Sequence, residues 1–169
     1  HVEDALGSPL IPAQRDFVRP YGVRSVLGFG GSLPVDDLYD RLTAHFGDEQ
    51  IFMDLDRIEP GEDFVHVLER AVGSCEILLV LVGRSWLTSR DETGRRLDNL
   101  NDFVRMAIAV AFARDVRVIP VLVQGAQLPS AQDLPEALQA LSRRQAYDLS
   151  DRRWRQDVDH LVFMLERAL

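Results

Sequence analysis

The sequence contains no lysine; all 19 of its basic residues are arginine. That absence excludes chemistry built on a lysine amine, including Schiff-base formation, phosphate binding by a P-loop lysine, and receiver-type sites that set a lysine beside aspartates. Positive charge is also outnumbered: 27 acidic residues give a formal net charge of −8 and a pI near 4.9. Phosphate backbones are bound by clustered positive charge, so nucleic acid is not expected as a partner. The single cysteine, Cys75, excludes an internal disulfide framework. No amino-terminal pattern of charge, apolar run and small-residue cleavage site is present, so a reducing, cytoplasmic setting is expected. Long apolar runs are missing too. The longest, "ILLVLVG" and "VIPVLV", fall far short of the roughly 20 residues of a membrane span, and no membrane partner is expected.

What is there suits one globular domain of 169 residues, 46% of them hydrophobic, long enough to bury a full core. The chain starts at His1 and not at Met, as expected of a piece of a longer protein or a tag remnant. Residues 1–22 hold three prolines and no sustained period, and read as a linker or extension ahead of a domain spanning 23–169. Strand-length apolar runs then alternate with helical patterns. The expected strands are 24–29, 50–55, 76–82, 116–123 and 144–149, and the expected helices are 33–46, 62–72, 102–114, 131–141 and 151–169. Unbroken Val, Ile and Leu runs belong to strands buried on both faces. Five such βα units predict an α/β, flavodoxin-like open parallel sheet of order 2-1-3-4-5 with helices on both faces. In such sheets ligands bind beyond the carboxyl ends of the strands. The polar stretch 88–102, "TSRDETGRRLDNLND", reads as a long, mobile loop after the third strand.

The loops that follow the strands hold the candidate chemistry. "GFGGS", Gly28 to Ser32, admits two readings: a dinucleotide-binding turn, or a tight strand-to-helix connection, since Leu33 stands where the third glycine of G-x-G-x-x-G belongs. In "MDLDRIEPGEDF", Met53 to Phe64, Pro60 and Gly61 make a turn and Glu62 can help open a helix. Asp54 and Asp56 are either metal ligands or locally hydrogen bonded; no third ligand is nearby in sequence, and no metal is expected. Cys75 opens an apolar strand and reads as a core residue. His45, His66 and His160 are scattered. Trp86 is either a cap on the core or a wall of the crevice. In "NDFVRMAIAVAF", Asn101 to Phe112, and the residue after it, alanines at 107, 109, 111 and 113 let a helix pack closely on a sheet.

Taken together, "VLGFGG", "IFMDLDRIEPGEDF", "GSCEILLVLVGRSWL", "DFVRMAIAVAF" and "VIPVLV" resemble the Toll/interleukin-1 receptor (TIR) domain in the version common in bacteria, from about Val23 to Leu169. Asp56, Arg57, Ile58, Glu59, Pro60, Gly61 and Glu62 look like the family's BB loop, which packs against a neighbouring TIR domain. Gly28, Phe29 and Gly30 stand where family members usually carry Ser-Tyr and a basic residue. The resemblance implies an NAD+ glycohydrolase of bacterial antiphage immunity, working as a homo-oligomer or filament, with NAD+ as substrate and no cofactor. It places Gly28, Phe29, Gly30, Gly31, Asp54, Arg57, Trp86 and Phe103 around the substrate. The family's catalytic glutamate lies four residues after an aromatic. Phe103 matches that aromatic, and Ala107 occupies the glutamate's position. Ala107 therefore reads as a Glu→Ala substitution that silences the enzyme, or as the mark of a natural pseudoenzyme that acts only as a scaffold through TIR–TIR contacts.

Overall fold

The computed structural model describes residues 23–27, 33–47, 51, 59–73 and 75–168. Four strands form a parallel sheet: β1 (Val23–Leu27), β2 (Ile77–Val82), β5 (Arg117–Val123) and β6 (Tyr147–Leu149), ordered β1-β2-β5-β6. Four α-helices accompany them: α1 (Leu33–Phe46), α2 (Phe64–Gly73), α3 (Phe103–Ala113) and α4 (Trp154–Ala168). The strands join in register, Ile77 beside Arg117 through Val82 beside Leu122, and Val121 beside Tyr147 through Val123 beside Leu149. This order matches the 1-3-4-5 part of the expected sheet. The expected second strand, 50–55, lies outside the described residues apart from Ile51, which is buried.

β2 shows why its run of six apolar residues had to be central. All six are buried, and because successive side chains leave a strand on opposite faces, they divide evenly. Leu78, Val80 and Val82 join the core beneath α2 and α3, and Ile77, Leu79 and Leu81 join the core beneath α1 and α4. α3 meets its core through Val104, Ala107, Ile108 and Ala111, the spacing of one face of a 3.6-residue helix. α4 does the same on the other face with Val158, Leu161 and Leu165.

Two expectations are corrected. Residues 131–141 do not form an α-helix but two 3-10 stretches, Ala131–Asp133 and Glu136–Arg143. Pro135 breaks the pattern: it has no N–H to give, and it holds the residue before it, Leu134, in the extended region at φ −109°, ψ 145°. The second stretch still buries Leu138 and Leu141, three residues apart and so stacked on one side of a three-residue turn. The second correction concerns 88–102. Instead of an irregular loop it contains a hairpin, β3 (Arg90–Asp91) against β4 (Gly94–Arg95), and a 3-10 turn, Arg96–Asp98. Smaller shifts occur at element ends: α2 starts at Phe64 and not at 62, α4 at Trp154 and not at 151, and β6 covers only the last three residues of 144–149.

Candidate functional site

A parallel sheet with crossover helices brings the starts of its helices to the carboxyl ends of its strands. The first turn of α3 is therefore at that end, close in sequence to the turns that leave β2. Its construction is polar at the tip and apolar below. Asp102 is the N-cap: Oδ2 accepts from the backbone N–H of Val104 at 3.1 Å and of Arg105 at 3.2 Å. Oδ1 accepts from Arg96 Nε at 3.0 Å. Asp102 is only 6% exposed, so the guanidinium supplies the charge that a buried carboxylate requires. Arg105 reaches back from the helix to donate to the carbonyl of Leu97 at 2.7 Å, and Leu97 itself is sunk in the core.

The hairpin ahead of this turn is tied down separately. Arg95 donates to both carboxylate oxygens of Asp98, at 3.0 and 2.8 Å, and to the carbonyl of Asp133 at 2.8 Å. The two-pronged bond holds the Asp98 carboxyl below its usual range and raises the Arg95 guanidinium. Five hydrogen bonds from Arg95, Arg96 and Arg105 thus tie this polar stretch to its neighbours. The N-cap Asp immediately before an apolar helical run was the available sequence signal for Asp102; nothing in the sequence pairs it with Arg96.

The expected site residues fall into three groups. Gly28, Phe29, Gly30, Gly31, Asp54, Asp56, Arg57 and Ile58 lie outside the described residues. Trp86, Phe103 and Ala107 come together on the α2/α3 face. Trp86 is 2% exposed and Ala107 0%, and both belong to one buried cluster, against which the half-buried Phe103 packs. Trp86 is thus a core side chain, entering from the turn after β2 in which the Trp86 backbone N–H donates to the carbonyl of Gly83 at 3.1 Å. The third group is Glu59, Pro60, Gly61 and Glu62, where the expected turn is present. Glu62 N–H donates to the Glu59 carbonyl at 3.1 Å, and Gly61 sits at φ +91°, the positive φ that position three of a type II turn requires and that glycine supplies without strain. The Glu62 carboxylate accepts from the Glu59 N–H at 2.8 Å. Asp63, not singled out in the sequence, accepts from Val65 N–H at 3.1 Å ahead of α2.

The histidines stand apart, as their spacing implied: His45 pairs with Glu166, His66 is exposed, and His160 meets Tyr147 edge to face. Among the described residues no three His, Cys, Asp or Glu side chains group as metal ligands. Cys75 is buried and donates to the carbonyl of Ala71. No helix of the described residues is long and apolar enough to cross a membrane.

A family model described as "TIR domain" matches residues 33–162. Among solved structures, the chain is similar to the TIR domains of the activated Roq1 resistosome directly recognising the pathogen effector XopQ. The TM-score there is 0.54 at 14% identity, covering 86% of this chain and 98% of that one. It is also similar to a metazoan TIR-STING receptor from C. gigas, with a TM-score of 0.51 at 14% identity, covering 87% of this chain and 41% of that one. The same receptor in complex with 2',3'-cGAMP gives 0.52 at 16% identity, covering 85% and 40%. At these identities the likeness is one of fold. No curated protein sequence matches the chain.

Proposed function

The chain belongs to the TIR domain family, and within that family we propose that it derives from an NAD+ glycohydrolase whose catalytic carboxylate would stand at position 107. The observation that supports this reading is the first turn of α3: Phe103 and residue 107 are one helical turn apart, below a capped tip, at the end of the sheet where α/β folds bind ligands. The chemistry needs little else. Cleavage of the bond between nicotinamide and ribose releases the pyridinium as neutral nicotinamide, so the leaving group takes no proton. The ribose left behind has oxocarbenium character, which one adjacent carboxylate stabilises. Water or an internal nucleophile then gives ADP-ribose or a cyclic ADP-ribose. In this reading NAD+ is a substrate, no cofactor takes part, and the enzyme serves antiphage immunity in a bacterial cytoplasm. The loop around Glu59–Glu62 packs against a neighbouring copy to assemble the active form.

A second reading has its own support. Ala107 is fully buried and its methyl group stabilises no cation, so the chain as it stands acts as a TIR–TIR interaction module. Ala107→Glu separates the two readings. Under conditions that allow assembly, chromatography of nicotinamide and ADP-ribose should show turnover from the glutamate form and almost none from the alanine form. Equal, negligible turnover from both, with assembly and NAD+ binding intact, would leave the scaffold reading standing.

A further inference from the structure

Asp102 is the one charged side chain in the core among the described residues, and its bonds form a closed circuit. Arg96 Nε donates to Asp102, the Asp102 carboxylate accepts from the Arg105 N–H, and the Arg105 guanidinium returns to the carbonyl of Leu97, next to Arg96. Arg96 is anchored at its own backbone, where its N–H donates to the Ser89 carbonyl at 2.8 Å. The circuit therefore links the segment leaving β2 to the first turn of α3 at fixed height and rotation. Rotation matters because each residue advances a helix by about 100°; a small slip would turn Phe103 and residue 107 away together.

The circuit is also distinct from the tether of the hairpin. Arg95 holds that loop through Asp98 and Asp133 without touching the Asp102 cap. Two adjacent arginines thus have different tasks, one fixing the loop and the other the helix. Without Arg96 the Asp102 carboxylate would stay buried with no cation bonded to it, and it would keep its charge and its hold on the Val104 and Arg105 N–H groups only at a cost.

We propose that Arg96 is a positioning residue: acting through Asp102, it fixes the rotation of the α3 first turn and so holds Phe103 and position 107 in their places on the α2/α3 face, the places that the glycohydrolase reading requires of them. The proposal rests on the glycohydrolase reading for its catalytic consequence but not for its structural one, and the test has one arm for each. In the first arm, amide hydrogen exchange is measured on the Ala107 chain and its Arg96→Ala, Arg96→Lys and Arg95→Ala variants. Exchange at Val104 to Ala107 should quicken about tenfold in Arg96→Ala, as loss of a charged hydrogen bond implies. It should quicken less in Arg96→Lys and remain unchanged in Arg95→Ala, with α4 unaffected in all three. Unchanged exchange in the first turn of Arg96→Ala overturns the proposal, whatever the enzyme does.

The second arm uses the Ala107→Glu background. There Arg96→Ala should lower kcat about tenfold or more while KM stays within about twofold, the pattern of a misplaced catalytic turn. Arg96→Lys should restore part of the loss, and Arg95→Ala should stay within about twofold of its parent. Equal losses from Arg95→Ala and Arg96→Ala, or losses that follow the melting temperature alone, assign the effect to loop order and overturn the proposal. Should Arg96→Ala fail to fold, Arg96→Lys carries both comparisons. Should Ala107→Glu not cleave NAD+ at all, the glycohydrolase reading fails while the exchange arm still decides the role of Arg96.

Discussion

On one face of the sheet lies α3, a helix with almost no polar side; on the other, α1 and α4 are amphipathic and meet at an ion-paired seam. α3 can be apolar nearly all round because it is covered on several sides: the sheet lies beneath it, α2 lies beside it, and the 3-10 stretch of Leu138 and Leu141 joins the same core, which leaves Phe103, Met106, Ala109, Val110 and Phe112 half-buried. Even Phe112, at its far end, is covered by the Arg144 guanidinium 5.2 Å from the ring centre. α1 instead buries Leu38 and Leu42 and shows Asp36, Asp37 and Asp40 to solvent. Across the seam Arg41 pairs with Asp159 and His45 with Glu166. The difference teaches that, among the described residues, the α3 face carries its buried charge at one end, where Arg96 meets Asp102. Among the described residues, polar groups on the opposite face join α1 to α4 and tie β6 and the residue after it to α4, where Tyr147 donates to the Asp157 carbonyl and the Ser150 N–H to the Asp157 carboxylate.

The largest expected effect breaks this contrast outright by putting a charge into the apolar face. Ala107→Glu should raise NAD+ cleavage on the order of a thousandfold, the usual scale for one well-placed carboxylate. The same substitution enters a position with 0% exposure, and burial of a carboxylate among apolar groups should lower stability by about 1–3 kcal/mol. Activity gained and stability lost in one variant, read by nicotinamide release and by thermal melting, would mark position 107 as a working site. Stability lost with no activity would mark it as plain core.

How much of this was legible in the sequence follows the same division. Where burial sets the pattern, the reading was close: α1 came out at 33–46 as expected, and β2 and β5 within one residue of their expected starts. Apolar spacing reports burial directly, and these elements are buried by their spacing. The reading failed where local bonds override composition. Residues 131–141 have helical spacing, yet Pro135 divides them; 88–102 has loop composition, yet it forms a hairpin and a 3-10 turn tied by hydrogen bonds from Arg95, Arg96 and Arg105. Sequence shows the charges of such a segment but not which carboxylate each guanidinium reaches. At the candidate site the sequence set Trp86 and Phe103 around a substrate with position 107 between them; the structure gathers the three on one face but buries Trp86 and Ala107 in its core, and the Arg96–Asp102 circuit was missed for that reason.

A second test sharpens the comparison by asking whether the two cores are equally tight. Ile108 on the inner side of α3 and Leu161 on that of α4 are both fully buried. Truncation of either to Ala should cost about 2–5 kcal/mol in chemical denaturation, by lost burial and the cavity left behind. Similar losses would mean that the faces differ in their polar edges alone. A loss near zero for Ile108→Ala would show that the α3 face is loosely packed, which a rigid first turn does not allow.

A smaller effect is expected at the turn beside α2. Gly61 holds φ +91° and an added Cβ would meet no atom within 4 Å, so Gly61→Ala introduces strain in the backbone and no clash. The expected loss is about 1 kcal/mol in stability. Its larger consequence should be for assembly, because Glu59, Pro60 and Gly61 are exposed and the turn sets the shape they present. Sedimentation should show weaker self-association with an unchanged far-ultraviolet spectrum. Self-association at parental strength would remove this turn from the proposed contact.

The smallest effect belongs to the seam. Arg41 is bonded to the Asp159 carboxylate and to the carbonyl of Arg155 at 3.4 Å, but the side chains of the pair are 28% and 66% exposed. Water screens such a pair and its long side chains lose freedom on pairing, so the net gain is about 0.2–1 kcal/mol. A double-mutant cycle of Arg41→Ala and Asp159→Ala should return a coupling in that range and lose most of it in about 1 M salt. The Arg96–Asp102 pair is the opposite case, because its carboxylate is buried and caps a helix; the same cycle there should give a larger coupling that salt reduces much less. Equal couplings at the two pairs would mean that burial of Asp102 adds nothing, and the distinction between the polar end of one face and the seam of the other would fall.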